Sequence, residues 1–594
     1  VTTAAYGYRS SEVSLPDVPE IKDGTVLKLF SGKSTKSRPV ERSSLGCHVL
    51  GASRPHPDHS DVETTLDGAC RRFCRKPPSP DPKKMIRFNE FVMKWLHKYM
   101  VPLSFDVDVS FETYILGVKC PKWRKEVLRK IWVESENYIT PLNIYNKDGV
   151  INRYCRVNSF QKDEVYPVYK AARGINSRTD EFKVRVGPIF KLIEKSLFDM
   201  PFFIKHTPVD ERAEQIKREL YQHASNIIGT DYTSFESLFT AELMNICEFQ
   251  LYRYMSQNLE DTEWINIVTK VLSGMNFCDF RDKFTIGVPA TRMSGEMCTS
   301  LGNSFTNLMA MEFIASEIGM SSLRSRIEGD DGIFTFYGPI PSAKDFADLG
   351  LIIKIEEYDE LTEGSFCGII ADKDDMINVT NPINVILDFG WTSKDYFRSK
   401  NKKKLELLKA KSLSYAYQYP GCPIISSLAK YGLRVSADAH FNLNAMNNYQ
   451  QEVFHAMHSK FSNKVPSKDV GFNTRLLVER RFGVSVEDQI FIEQYLDNKI
   501  DLSPLECQAI LSNCPWEAFD YNDKYVVDIQ DLNHVDFPFE DSYSLAKNNS
   551  IFTLFYKNVQ ECKKSTTPSF GKKKGTTWRK ATNDERNHCC PSTC

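Results

Sequence analysis

Chemistry is most concentrated at Glu328-Gly329-Asp330-Asp331-Gly332, set between Leu323-Arg324-Ser325-Arg326-Ile327 and Ile333-Phe334-Thr335-Phe336. The flanking runs predict two strands and the glycines a tight turn joining them. Adjacent acids in a turn have a bland reading, because Asp is at home there for solvation and local hydrogen bonding. They also have a chemical one, since carboxylates are what a hard divalent cation takes from a protein while water and phosphate fill the rest of its shell. Two more segments weigh on the choice. Ile227-Ile228-Gly229-Thr230 reads as an apolar strand running into Asp231, with a second acid, Glu236, five residues on. Ser294-Gly295 is followed at fixed spacing by Thr299 and Asn303. Periodicity predicts a helix from about Cys298, with Thr299, Asn303 and Asn307 on one face. A polar stripe facing solvent is the bland reading of that face.

In this order the three segments resemble motifs A, B and C of viral RNA-dependent RNA polymerases of the positive-strand type. Phe160-Gln161-Lys162-Asp163-Glu164 with Lys170-Ala171-Ala172-Arg173-Gly174-Ile175-Asn176-Ser177-Arg178 resembles the basic motif F, Asp348 to Lys354 motif D, and Ser365-Phe366-Cys367-Gly368 motif E. The Arg-x-Ile-x-x-Arg and Arg-Met-Ser-Gly-x-Met patterns are similar to those of the tombus-like and noda-like group. The resemblance is good over about 110–425 and thin elsewhere.

The resemblance implies template-directed transfer of NMP to an RNA 3′ end for genome replication and transcription. Two Mg²⁺ ions, replaceable by Mn²⁺, would activate the 3′-hydroxyl and neutralise the triphosphate. Asp231 and Asp330 are the expected principal ligands and Asp331 an accessory one. Glu236, Thr299 and Asn303 occupy the positions for ribose selection, although many relatives carry Asp where this chain has Glu236. Lys162, Lys170, Arg173 and Arg178 would meet the phosphates, and Ser294 and Gly295 would form a flexible loop beside the templating base. Lys354 would protonate pyrophosphate, and Phe366, Cys367 and Gly368 would grip the primer. Two rivals stand beside this reading. A reverse transcriptase would carry an aromatic gate at the position of Glu236, and Phe235 is one residue away; a non-catalytic RNA-binding replication subunit would share the fold.

The elements that position these residues are expected to form an α+β right-hand fold. Residues 1–45 read as a partly disordered leader, 46–224 as fingers and N-terminal region, 225–245 as palm with motif A, and 246–290 as a fingers insertion. Residues 291–375 would complete the palm, 376–545 form a helical thumb, and 546–594 a basic tail. A Pro-rich break at 76–82 precedes a helical pattern from Met85 to Met100. The basic run from Lys400 to Lys411 could hold duplex backbone or face solvent.

Composition narrows the class without naming it. The 594 residues would make roughly four domains of about 150 residues each, and 41% apolar with 26% charged residues excludes a fibrous or wholly disordered chain. A net charge of −1 gives no global field, so nucleic acid must be met by a local patch. The start lacks Met, which reads as a fragment or a processed product. No apolar run is long enough for a transmembrane span, so the chain reads as soluble and non-secreted. The expected setting is the host cytoplasm, in membrane-associated replication complexes reached through other viral proteins or a missing region. The sixteen cysteines read mostly as reduced and buried. Cys47, His48, His56, His59, Cys70 and Cys74 are zinc-ligand types without paired metal-site spacing, and their role stays open.

Overall fold

The computed structural model describes residues 2–30, 38–135, 139–145, 151–281, 283–460 and 464–530. The C-terminal basic tail lies outside them. In chain order the strands are β1 (Thr2–Tyr6), β2 (Val26–Leu29), β3 (Val40–Ser43), β4 (Val157–Gln161), β5 (Gly174–Arg178), β6 (Asn226–Tyr232) and β7 (Met275–Asp279). They continue with β8 (Phe284–Pro289), β9 (Ser321–Glu328), β10 (Asp331–Tyr337), β11 (Ile353–Glu357), β12 (Ile370–Ala371), β13 (Asn378–Val379) and β14 (Val526–Ile529). With the helices between and after them they make an α+β fold.

The sheet that matters most runs β11-β6-β10-β9, all antiparallel. Strand β6 is central because its inner residues are apolar or small: Ile228 is fully buried and packs in the largest core. The long helix Thr299–Ile318 lies in the same core, bringing Leu301, Phe305, Leu308 and Met309 against Tyr232, Ile327 and Phe334. Its apolar residues point in nearly every direction, which is the pattern of a helix enclosed on all sides. A second sheet, β2-β8-β7-β4-β5, brings the basic segment of residues 162–178 alongside strands from 275–289. Beyond residue 400 the described chain is almost wholly helical, as its periodicity predicts, around a separate core that includes Leu408, Ile425, Leu428, Leu477 and Ile492. The helix Pro82–Tyr99 starts at the predicted break, with Asp81 capping it and a proline in its first turn.

The leader expectation needs correction. Strand β1 pairs on one side with β3 and on the other with β14 near the end of the described chain. Ala4, Ala5 and Tyr6 are completely buried beside Trp391, Tyr521 and Tyr525, and the Tyr521 hydroxyl donates to the Tyr6 carbonyl at 2.8 Å. Small residues admit the aromatic rings of a distant segment, a complementarity with no local signature in a Ser/Thr/Pro-rich stretch.

Ala5→Asp would put an unpaired carboxylate into this sheet and is expected to cost about 3 kcal/mol or more. Thermal unfolding of the full chain measures it, and an unchanged midpoint would mean that the terminal sheet is not part of the cooperative fold.

Candidate active site

Sheet register builds the acidic cluster. In β6, Thr230 faces Gly332 of β10, so one residue further along the same register Asp231 stands beside Asp331. On the other side Asp231 faces Lys354 of β11. Asp331 pairs with Glu328 across the β9–β10 hairpin, which leaves Gly329 and Asp330 as a two-residue turn. Gly329 has φ +63°, the left-handed conformation that glycine adopts without strain and that such hairpin turns require.

The helix Thr299–Ile318 holds the turn from behind. The Asn307 amide Nδ2 lies 3.2 Å from the carbonyl oxygens of Gly329 and Asp330 and 3.3 Å from that of Asp331. The Tyr232 hydroxyl in turn donates to Asn307 Oδ1 at 3.3 Å, and Ser304 Oγ accepts the Gly329 N–H at 2.8 Å. Periodicity put Asn307 on the polar face without giving it a task, and Ser304 gave no signal at all. Both are fully buried, so a side chain that reads as part of a polar stripe is in fact a bracket for the acidic turn.

Electrostatics reflects the crowding. Asp331 is half-buried, and its carboxyl is pushed up to about 7 by lost hydration and then by the charges of Asp330 and Asp231. Asp330 reaches open solvent at the hairpin tip, yet the surrounding protein, Glu236 and Asp231 raise it to about 6, with the Arg173 charge opposing. The backbone N–H of Cys367 offsets part of the shift on Asp331. A carboxylate cluster of this kind suits Mg²⁺, which takes one or two protein oxygens and fills its octahedron with water and phosphate.

The ribose-selection candidates flank the acids and are tied to one another. Asn303 is 7% exposed, and its carbonyl oxygen accepts from Arg292 Nε at 3.1 Å. Its amide NH₂ is thereby the group turned to other partners. Arg292 is fully buried, ion-paired with Glu248, and bonded through its backbone N–H to the Glu236 carbonyl at 3.0 Å. The guanidinium also lies over the Phe239 ring, 4.5 Å from its centroid. Arg292 thus joins the segment after Asp231 to the helix of Asn303, a link that the sequence shows only as part of a pattern. The Glu236 carboxylate is half-buried and 3.9 Å from Arg72. The Thr299 hydroxyl points back into its own loop, 2.9 Å from the Met293 and 3.1 Å from the Glu296 carbonyl oxygens.

Four expectations change. Arg178 is 1% exposed and bonded to Glu296, the Cys155 carbonyl and Asn276 Oδ1. It has no face left for a triphosphate and instead clamps β5 to the loop before the long helix. Ser294 and Gly295 are anchored rather than flexible: Ser294 Oγ accepts the Asn176 N–H at 2.9 Å, and the Gly295 N–H donates to the Asn176 carbonyl at 2.7 Å. A Cβ at position 295 would come within 2.8 Å of Ser177 Cα, so glycine is required by approach to β5. Phe366 is 1% exposed in a core with Ile204, Leu220 and Ile333; its ring cannot grip a primer, while Cys367 and Gly368, both at positive φ, form the reversal that aims the Cys367 N–H at Asp331. The basic run at 400–411 changes only in part: Lys409 is bonded to the Ala437 and Ala439 carbonyls and Lys411 to those of Asp388 and Trp391, while Lys400, Lys402 and Lys403 face solvent, Lys403 beside Glu406.

Other cations remain exposed. Lys162 and Arg173 share Glu164, at 2.8 and 3.6 Å, and Lys170 is solvent-facing. Lys354 is mostly exposed and pairs with Glu356 on its own strand.

Residues 146–337 match the family model described as viral RNA dependent RNA polymerase, a span that ends with β10 and takes in Asp231, Glu236, Asn303, Asp330 and Asp331. Among curated proteins none matches the chain. The chain is an RNA-directed RNA polymerase, a nucleotidyltransferase of viral RNA replication, with RNA and NTPs as partners.

Raised carboxyl pKa values have a sign that can be tested. Asp330 and Asp331 hold protons more tightly in the folded protein than in the unfolded chain, where the ordinary value is 3.8. Their protonation therefore stabilises the fold fully below about pH 4, and that contribution is lost as pH rises through about 6 and 7. In chelator, the unfolding midpoint of wild type should fall between about pH 4 and pH 8 relative to that of Asp331→Asn. Parallel profiles for the two proteins would show that Asp331 carries no such strain.

Proposed function

We propose that the four-stranded sheet is the palm of a right-hand polymerase of the tombus-like or noda-like kind, and that Asp231, Asp330 and Asp331 hold two Mg²⁺ ions, with Mn²⁺ able to replace them. The observation that carries this reading is the register that sets Asp231 beside Asp331 inside the matched segment. The metals, when bound, would supply activation of the 3′-hydroxyl and neutralisation of the charge developing on the triphosphate.

The chain's own residues have the remaining tasks. Arg173 and Lys162 would exchange Glu164 for phosphate oxygens, Arg offering the bidentate contact, and exposed Lys170 would add charge. Arg173 already acts on Asp330 electrostatically, which supports its nearness to the reacting phosphates. The Asn303 NH₂ and the Glu236 carboxylate would read the ribose 2′-hydroxyl, a group that both donates and accepts. Lys354, across from Asp231, would hold a proton for the departing pyrophosphate. The reaction serves genome replication and transcription. Its setting would be replication complexes on host cytoplasmic membranes, with attachment supplied by other viral proteins, since no described helix is long and apolar enough to cross a membrane. Against a reverse transcriptase stands the burial of Phe235 beneath Tyr232, ring centroids 4.3 Å apart; it is not placed to act as an aromatic gate.

Primer extension on an RNA template with Mg²⁺ tests the reading. Asp330→Ala should lower incorporation about a thousandfold, the equivalent of losing several kcal/mol of charge stabilisation. Asn303→Ala should lower the preference for NTP over dNTP by about 10- to 100-fold, as expected for one lost buried hydrogen bond. Equal incorporation by wild type and Asp330→Ala would overturn the metal assignment, and a wild-type preference for dNTP would overturn the ribose assignment.

A further inference from the structure

Away from the acidic cluster, the N-terminal region gathers a second set of ligand-type side chains. Glu41 of β3, His56 and His59 each present one ligand atom within 4.8 Å of the other two, the only such set of three among the described residues. All three are buried, at 1%, 2% and 8% exposure. The cysteines that gave this region its metal-like look in the sequence are elsewhere. Cys70 and Cys74 pack with Phe73 and Phe280, and Cys47 with Leu45 and Leu505. His48 Nδ1 is occupied by Ser44 Oγ at 2.7 Å.

Hydrogen bonding within the set is incomplete. Neither ring nitrogen of His59 has a hydrogen-bond partner, and neither does Glu41 Oε2. His59 Nδ1 lies 3.1 Å from that oxygen without the alignment of a hydrogen bond. The other Glu41 oxygen accepts the His59 backbone N–H at 3.0 Å, which fixes the carboxylate beside the imidazole. His56 meets an oxygen on both sides: Nε2 is 2.8 Å from Asp163 Oδ1 and Nδ1 is 3.1 Å from the Pro57 carbonyl. A neutral imidazole has one proton, so one of these nitrogens faces an oxygen with a bare lone pair. Buried polar atoms left unpaired are costly, because they have given up hydration without a replacement partner. A single cation among the three side chains would satisfy Glu41 Oε2, one nitrogen of His59 and the bare nitrogen of His56 together.

We propose that Glu41, His56 and His59 form a structural site for a divalent transition-metal ion, Zn²⁺ by preference. Two imidazoles and one carboxylate are a zinc donor set, with water able to complete the tetrahedron, and imidazole nitrogen selects against Mg²⁺ and Ca²⁺. Asp163 completes the arrangement from outside by holding His56, as an outer carboxylate does for a metal-bound histidine. Its second oxygen is itself fixed by the Lys394 backbone N–H at 2.9 Å. The ion would staple β3 and the segment of His56 and His59 to the β4–β5 hairpin, at a point next to Lys162. It is therefore a brace for the basic segment, independent of whether that segment binds triphosphate.

The full chain carrying Asp231→Asn and Asp330→Asn, so that the acidic cluster contributes little, serves for the test. After treatment with chelator it is titrated with Zn²⁺ against a chromophoric competitor, and with Co²⁺ for its visible d–d absorption. One tightly held ion per chain is expected, with a Co²⁺ band of four-coordinate intensity. His59→Asn and Glu41→Gln should abolish both signals, Asp163→Ala should weaken binding about 10- to 100-fold, and Cys70→Ser should change nothing. Should a variant fail to fold, protection of the parent chain decides: Zn²⁺ raising its unfolding midpoint supports the site, and no shift overturns it. Absence of bound Zn²⁺ in the parent chain, or a full equivalent retained by His59→Asn, overturns it as well.

Discussion

Strand β6 can sit between β10 and β11 in its observed register only by setting like charges side by side. Asp231 is delivered next to Asp331 by the same hydrogen bonds that pair Thr230 with Gly332, and Asp330 follows because the hairpin turn is only two residues long. Repulsion is thus a consequence of sheet pairing. It shows as carboxyl values raised to about 6 and about 7. Much of the surrounding structure compensates: Asn307 and Ser304 grip the turn from the long helix, the Cys367 N–H faces Asp331, and Arg173 opposes the charge on Asp330. A fold that spends so many groups on holding carboxylates together is organised to receive positive charge there.

How much of this was legible depends on whether the relevant contact is local. Asp231, Asp330 and Asp331 could be found because acids at strand ends and glycine-flanked turns are short-range patterns, and the α+β class and the helical region beyond 400 follow from periodicity alone. Arg178 and Phe366 carry the right residue types in the right segments, but their fate is settled by what packs on them. Glu296 and Asn276, about a hundred residues away, absorb Arg178, and Ile204 and Ile333 enclose Phe366. The terminal sheet is the extreme case, since Thr3 Oγ1 reaches Asp528 Oδ1 at 2.6 Å across 525 residues of sequence. No window of sequence contains such a pair, and a stretch rich in Ser, Thr and Pro reads as a loose leader until its partner strand is known.

The same distinction changes the meaning of the near-zero net charge. Some charges of both signs are withdrawn into the interior as pairs, while others stay at the surface. Arg178–Glu296 and Arg292–Glu248 are pairs with essentially no exposure on either partner, whereas Lys162, Lys170 and Arg173 remain at the surface. A buried pair contributes nothing to the field that RNA would meet, and an exposed one is cheap to exchange for phosphate. Each buried pair withdraws one charge of either sign and leaves the net balance unchanged, so the cationic surface comes from where Lys162, Lys170 and Arg173 are placed and not from the total.

Of those buried pairs, Arg292–Glu248 is the harder to explain by stability. Removing two charges from water costs several kcal/mol per ion, and apolar residues of similar volume often serve a core as well or better. What an apolar replacement could not do is orient. The guanidinium presents a rigid fork that Arg292 spends on Glu248, on Cys298 Sγ at 3.1 Å and on the carbonyl oxygen of Asn303, while its backbone N–H fixes the residue from which Glu236 projects. With the Asn303 oxygen engaged, the amide can present only its NH₂ to a bound sugar, and its flipped orientation would set NH₂ against guanidinium N–H. The costly pair thus converts a freely rotating amide into one with a defined donor face, at the place where the proposed reaction has to distinguish a hydroxyl from a hydrogen.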